Sequence, residues 1–214
     1  MSIAAYIILA YLIGAFPSAV VLGRLIWRTD VRKHGSGNAG ATNAWRVIGW
    51  KAGLSVLILD AGKGALAAGV IPYIPLGGSL LDTRTLAIIC GMAAVVGHVF
   101  PIYTKFRGGK GVATAAGMLA VVAPIPVGFA VGVFAAAILA SGIVSLGSIL
   151  AAWALPISAI LLSSFARASY PPLLFALTLA LALFITYTHR KNIARLLKGE
   201  ERSFPQLRLW KRRG

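Results

Sequence analysis

Long apolar runs separated by short polar and basic stretches set the pattern of this chain. The first run covers residues 3–26 and contains Pro17, an expected kink, because proline removes a backbone donor and clashes with the preceding turn. A polar loop fills residues 27–50. The second run, 53–74, carries Asp60 and Lys63 inside it. A connection holding Gly77, Gly78, Asp82 and Arg84 leads to a third run at 85–103. After a glycine-rich turn at 106–111 comes an apolar stretch over 112–140, interrupted by Pro124 and Pro126. Runs at 143–165 and 172–188 precede a basic tail over 189–214. A spanning helix needs roughly 18 or more apolar residues, and most of these runs approach or exceed that length. The pattern predicts an all-α, polytopic membrane helix bundle. No long polar linker divides it, so residues 1–214 read as a single integral membrane domain.

Composition sharpens this picture. The chain is 58% hydrophobic and 12% charged, about half the charged fraction of an ordinary soluble domain. Its net charge of +16 raises the question of nucleic acid. The basic residues flank apolar spans instead of lining one soluble face, which fits a positive-inside bias and attraction to anionic lipid heads. Nucleic acid is therefore not an expected partner. The lone cysteine, Cys90, sits inside an apolar run, and three scattered histidines with few carboxylates offer no metal-ligand set. The start of the first run lacks the basic patch and short apolar core of a signal peptide.

Charge distribution also predicts topology. The loop after the first run (Arg28, Arg32, Lys33, His34, Arg46 and Lys51), the turn at 106–111 and the tail are the three basic regions, and all should be cytoplasmic. A single crossing by 112–140 would put the tail opposite the turn. Splitting that stretch at 123–126 into two short helices restores agreement, with a re-entrant hairpin as the alternative. The outcome is about seven transmembrane helices, N-terminus outside and C-terminus cytoplasmic. Arg84 and Arg167 then fall outside, and small residues such as Gly128 and Gly132 read as helix packing.

Three segments carry candidate chemistry. Residues 106–111 read FRGGKG; the glycines permit positive φ and close approach of an oxyanion to backbone N–H groups, and Arg107 and Lys110 add charge. This is not a nucleotide-binding P-loop, because Thr104 stands where that motif needs glycine. The first loop contains GSGNAGATN at 35–43, then Arg46, whose guanidinium forks naturally onto phosphate. A helix starting near Thr42 would aim its N-terminus at a bound anion, while Thr42 or Asn43 could equally cap it. In the tail, His189, Asn192 and Arg195 share one face if the last helix simply continues.

Together these segments resemble the bacterial acyl-phosphate:glycerol-3-phosphate acyltransferases of the inner membrane. The resemblance runs through residues 35–43, through GHVFPIYTKFRGGKGVAT at 97–114 and through HRKNIARLLKGEE at 189–201, with LDAGKG at 59–64 and Val144-Ser145-Leu146 between them. It implies a seven-helix enzyme of the bacterial plasma membrane, active site facing the cytoplasm. That enzyme moves a fatty acyl group from acyl phosphate to the 1-hydroxyl of sn-glycerol 3-phosphate, giving lysophosphatidic acid and phosphate, the first step of phospholipid synthesis. No cofactor, metal or obligate protein partner is implied beyond the two substrates and membrane lipid. The catalytic positions it implies are Ser36, Arg46, Lys110 and His189. Substrate-binding positions are Gly37, Asn38, Gly40, Thr42, Asn43, His98, Gly108, Gly109, Gly111, Thr114, Ser145 and Asn192.

Electrostatics agree with that expectation. Two phosphate dianions brought within about 5 Å repel by roughly 13 kcal/mol at an effective dielectric near 20. A site for both requires several cations, many N–H donors and little negative charge. The five acids, Asp30, Asp60, Asp82, Glu200 and Glu201, all lie outside the glycine motifs. An acyl phosphate is an activated mixed anhydride, so Ser36 and Ser145 read as hydrogen-bond donors and not nucleophiles. The attacking hydroxyl can lose its proton to a substrate phosphate, to His189 or to His98; we favour the phosphate, with His189 positioning and His98 bracing the loops. Asp60 and Lys63 read as a mutually neutralising intramembrane pair that also has room to brace the first loop. Two competing classes are a phosphate transporter, which needs a site near the midplane, and a lipid-binding anchor, which leaves the glycine pattern unexplained.

Overall fold

The computed structural model describes residues 3–76, 81–165 and 172–209, and every regular element among them is helical. Gly77, Gly78 and the expected external Arg167 lie outside the described residues. The chain forms α1 (Ile3–Ala15), α2 (Ser18–Trp27), α3 (Ala41–Val47), α4 (Trp50–Gly69), α5 (Thr83–Val99), α6 (Val112–Val122), α7 (Pro124–Ser141), α8 (Val144–Phe165), α9 (Pro172–Thr188) and α10 (Arg190–Leu197). Packing gathers these into two compact units, Met1–Val122 and Ala123–Gly214.

Proline sets two of the breaks. Pro17 ends α1 and α2 resumes at Ser18, with Phe16 O accepting the Ser18 N–H at 3.0 Å. The stretch 112–140 divides at Ala123, where Pro124 occupies the first turn of α7; the residue before a proline is pushed out of the α region, and Ala123 sits at φ −151°, ψ 62°. A proline inside α8, Pro156, leaves that helix continuous.

Among the described residues, Ile3–Trp27, Trp50–Tyr73, Thr83–Thr104, Pro124–Ser141 and Val144–Ser163 are long and apolar enough to cross a membrane. Pro172–Thr188, taken with Arg190–Leu197, makes a sixth candidate bent by 64°. The helix Val112–Val122 is apolar but short: at 1.5 Å per residue it covers about half of a bilayer's hydrocarbon thickness. That leaves five to six crossings by length where the sequence pattern predicts about seven, and α6 accounts for the difference. The bend between α9 and α10 also replaces the single continuous helix expected through His189.

The first unit packs α4 against α6 and α5 against α1, with small residues at the contacts. A side chain at Gly64 would overlap the Thr114 carbonyl and one at Gly117 the Ala61 carbonyl, so α4 and α6 touch backbone to backbone. Around Cys90, Tyr6, Ala10, Ala67, Ile71, Leu86 and Ala94 form one buried cluster; Ala19, Val31, Ala44, Ala52 and Val56 form another beneath the first loop. Gly128 and Gly132 depart from their expected packing role, because a Cβ at either would meet nothing within 4 Å. The second unit packs α8 against α7 and α9. Its tail folds back onto the α7–α8 turn, where Phe204 N–H donates to Gly142 O at 2.7 Å and Arg208 Nε to Ser141 O at 2.7 Å.

Candidate active site

The first loop owes its shape to Asn43. Its side chain is buried beneath the loop, where Oδ1 accepts the Ser36 N–H at 2.8 Å and Nδ2 donates to Val31 O at 2.7 Å and His34 O at 3.1 Å. Every polar atom of that side chain is thus bonded to the loop, and Gly40, not Thr42 or Asn43, occupies the cap position of α3. Gly35, at φ +63°, has to be glycine, because a Cβ there would strike Asn43 Oδ1. Ser36 and Gly37 are exposed, Asn38, Thr42 and Arg46 half-buried, and Gly40 buried. Just upstream, Asp30 accepts from Arg32 Nε at 3.0 Å and from Arg24 Nη2 at 2.7 Å. The Arg32 hydrogen bonds, opposed only in part by burial, hold the Asp30 carboxyl well below the usual carboxylate range. Asp30 thereby ties the loop's Arg32 to Arg24 at the end of α2.

The second loop is a compact turn. Lys105 and Phe106 both adopt left-handed backbone, at φ 54° and 60°, held by Phe106 N–H to Pro101 O at 2.9 Å and Thr104 Oγ1 to Arg107 O at 3.1 Å. Gly108 and Gly109 donate their N–H groups to Val99 O at 3.2 Å and His98 O at 3.1 Å. Those two amides, expected to converge on an anion, instead fasten the turn to the end of α5. The backbone donors left over by this arrangement begin farther on, in the first turn of α6 that follows Gly111. Lys110 is half-buried and Gly111 buried. Thr114 is completely buried at the α4–α6 contact, its hydroxyl without a hydrogen-bond partner, so it faces helix packing and not open solvent.

The two loops meet at a small cavity of about 10 Å³ lined by Ala39 from the first, Gly108 and Gly109 from the second, and Ser18, Asp60, Lys63 and His98 beneath them. It is polar and about one water in size, so it is not the place for a fatty chain. Asp60 and Lys63 do form the expected pair, with Nζ to Oδ1 at 2.9 Å. His98 lies beside that pair, close under the turn as a brace would.

In the second unit three expected residues are organised by one that the sequence reasoning left unassigned. Glu201 Oε1 accepts from Ser145 Oγ at 2.7 Å and from Asn192 Nδ2, while Oε2 accepts from Arg195 Nε at 2.6 Å. Burial pushes the Glu201 carboxyl up, but donors from Arg195, Asn192 and Ser145 outweigh it and bring the group below its ordinary value. Ser145 gives its proton to Glu201, so toward a ligand its oxygen is an acceptor, the reverse of the expected donor role. The signal available in sequence was the acid pair Glu200–Glu201 inside an otherwise basic tail. His189 is buried at the α9–α10 bend, with Nδ1 2.8 Å from Ile185 O. A carbonyl can only accept, so Nδ1 carries the proton.

Residues 4–199 match the family model described as glycerol-3-phosphate acyltransferase. The glycerol-3-phosphate acyltransferase of Chlorobaculum tepidum is 45% identical over 220 residues, covering 92% of this chain and 94% of that protein. A crystal structure of PlsY, an integral membrane glycerol 3-phosphate acyltransferase, in its glycerol 3-phosphate form superposes with a TM-score of 0.81 at 35% identity. It covers 94% of this chain and 95% of its own. The lysophosphatidic acid form of PlsY gives 0.78 at 33% identity, with the same coverage. The match takes in both glycine loops, the intramembrane Asp60–Lys63 pair and the His189–Asn192 bend, and on that footing the chain belongs to the glycerol-3-phosphate acyltransferase family.

Proposed function

We propose that this protein transfers a fatty acyl group from acyl phosphate to the 1-hydroxyl of sn-glycerol 3-phosphate, releasing lysophosphatidic acid and inorganic phosphate as the first step of phospholipid synthesis. The observation that carries this reading is the family match over residues 4–199, which includes both glycine loops, the Asp60–Lys63 pair, Ser145 and the His189–Asn192 segment. The hydroxyl oxygen attacks the acyl carbonyl carbon, the carbonyl–phosphate bond breaks, and the leaving phosphate takes the hydroxyl proton. The donor brings its own activation, so no covalent enzyme intermediate and no cofactor are needed.

Roles follow from side-chain chemistry. Arg46 and Lys110 offset phosphate charge, with Ser36, Gly37, Asn38, Gly40 and Thr42 around the first loop and Gly108, Gly109 and Gly111 in the second as its supporting frame. Asn43 and Thr114 act through packing, and His98 through the turn. Ser145 accepts from a substrate hydroxyl, and Asn192 and His189 orient the acceptor. Residues 1–214 work as one acyltransferase domain of the bacterial plasma membrane. In the topology we favour, α6 is a short seventh crossing, the N-terminus lies outside, and the tail and the active site face the cytoplasm. The two substrates and membrane lipid are the partners.

The test is direct. Purified protein in detergent, given palmitoyl phosphate and radiolabelled glycerol 3-phosphate, should produce labelled lysophosphatidic acid, and palmitoyl-CoA should not replace the donor. Label that enters liposomes without forming lipid would mark a transporter instead. In the same assay His189→Gln should raise KM for glycerol 3-phosphate more than it lowers kcat. Retained affinity with turnover down by several orders of magnitude would make His189 the base.

A further inference from the structure

A carboxylate and an ammonium held inside an apolar helix demand a reason beyond cancelling each other. Asp60 and Lys63 are 3% and 7% exposed, one turn apart on α4. Each also reaches a second element. Lys63 Nζ donates to Phe16 O at 3.0 Å, the carbonyl at the proline break between α1 and α2. Asp60 Oδ1 lies 3.5 Å from His98 Nδ1 at the end of α5. A carboxylate there favours the proton on Nδ1 and turns Nε2 away from it.

What Nε2 meets is Gly109. A Cβ at position 109 would fall on the His98 ring nitrogen, and one at position 108 on the His98 carbonyl. Those same two glycines donate their N–H groups to Val99 O and His98 O. The ring and backbone of His98 are therefore the floor on which the glycine pair rests, and the glycines are there because the floor comes so close. Ala39 of the first loop borders the same cavity as Asp60 and His98. Ser18 Oγ and Asp60 Oδ1, both buried there, make no aligned hydrogen bond. Helix packing alone does not require this arrangement of side chains.

We propose that Asp60, Lys63 and His98 form a positioning relay that fixes the glycine-rich turn over α5, so that Asp60 governs affinity for the phosphate-bearing substrate without touching it. This rests on reading residues 106–111 as part of the phosphate site. The charged pair pins the floor on one side to α4 and on the other to the break in the first span. Asp60 and Lys63 are positioning residues and neither takes part in bond making.

The decisive variant removes both charges at once. If the pair served only to neutralise itself, Asp60→Asn with Lys63→Met would restore a fully active enzyme, because no uncompensated charge stays behind. The relay predicts a different split: the double variant unfolds near the wild-type temperature, yet its KM for glycerol 3-phosphate rises about tenfold or more while kcat stays within about threefold. It should also lose the thermal stabilisation that glycerol 3-phosphate gives the wild type. His98→Gln should show the same split at smaller size. A double variant with wild-type KM and wild-type stabilisation by glycerol 3-phosphate overturns the proposal. Should the double variant fail to fold, His98→Gln decides, since unchanged KM there overturns it equally. The stabilisation measurement uses no acyl donor, so loss of the acyl-phosphate assignment would leave this test standing.

Discussion

The glycine loops of the first unit and the tail of the second hold polar groups in place by opposite means. In the loops the fastening is mostly backbone: Gly108 and Gly109 bond to α5 carbonyls, and one buried amide, Asn43, stitches Val31, His34 and Ser36 together. In the tail a single carboxylate, Glu201, gathers Ser145, Asn192 and Arg195 through side chains alone. A backbone-built loop can exclude negative charge, as a site for phosphate needs. A side-chain cluster requires an acid to collect its donors, and here the acid spends its charge on Arg195 and two neutral donors. Asp30 and Glu201 thus work as clamps on cations in the loop and the tail, as Asp60 does on Lys63 within α4, so carboxylates and cations are built into one scaffold and not segregated.

If that contrast is right, the largest single effect should come from Glu201. Glu201→Ala strips the partner from three donors at once, one of them charged. With Arg195 itself 37% exposed and partly hydrated, the cost is about 3 kcal/mol. Acyl transfer should fall about a hundredfold, with Ser145 and Asn192 no longer held, while Glu201→Gln, which keeps one acceptor oxygen, should fall less. A Glu201→Ala enzyme as active as wild type would break the comparison. Asn43→Leu should come next. It takes the 2.7 Å donor from the buried Val31 carbonyl, which keeps only the 3.4 Å bond from His34 N–H, whereas water can reach Ser36 and His34, so a loss of about 1–2 kcal/mol is expected. The melting temperature should drop by several degrees, and KM for glycerol 3-phosphate should rise more than kcat falls.

This difference between the regions explains what could be read in advance. The spans, both proline breaks and the Asp60–Lys63 pair were legible, because hydropathy and proline stereochemistry act locally. Gly35 and Gly109 advertised a crowded or left-handed backbone, but not that a ring nitrogen of His98 and the amide oxygen of Asn43 do the crowding. The 64° helix bend at His189 was not read, since no proline or glycine marks it and its only local sign is the run of weaker helix formers from Thr186 to His189. Glu201 was passed over because its donors lie 6, 9 and 56 positions away in sequence. Only the folded tail shows that the acid has work to do.

Two smaller effects separate the tail's parts. Ending the chain after Ser203 removes the bonds from Phe204 N–H to Gly142 O, from Arg208 Nε to Ser141 O and from Leu209 N–H to Leu139 O, but leaves Glu201 in place. If Glu201 is the organiser, the shortened protein should lose no more than about 2 kcal/mol of stability and keep acyl transfer within a few-fold. A loss as deep as that of Glu201→Ala would transfer the organising role to residues 204–209.

The smallest effect is on pH, and it tells the two clamps apart. Both carboxyls are depressed in the folded state, so each contributes stability that is complete above its ordinary value and fades as pH falls through its folded one. Glu201 starts from an ordinary value of 4.5 and Asp30 from 3.8, and Asp30 is pulled down much farther by Arg32 and Arg24. Between pH 7 and 5, as order-of-magnitude bounds, neither should titrate and local protection should be flat. On further acidification the tail should loosen first. Hydrogen exchange at residues 190–204 should quicken first, while residues 30–38 stay protected to lower pH. Glu201→Gln should erase the tail's acid response and leave the loop's unchanged. Loosening of both regions together would mean that the loop's protection depends on Glu201 as much as on Asp30, and the backbone-built loop would no longer be independent of the side-chain-built tail.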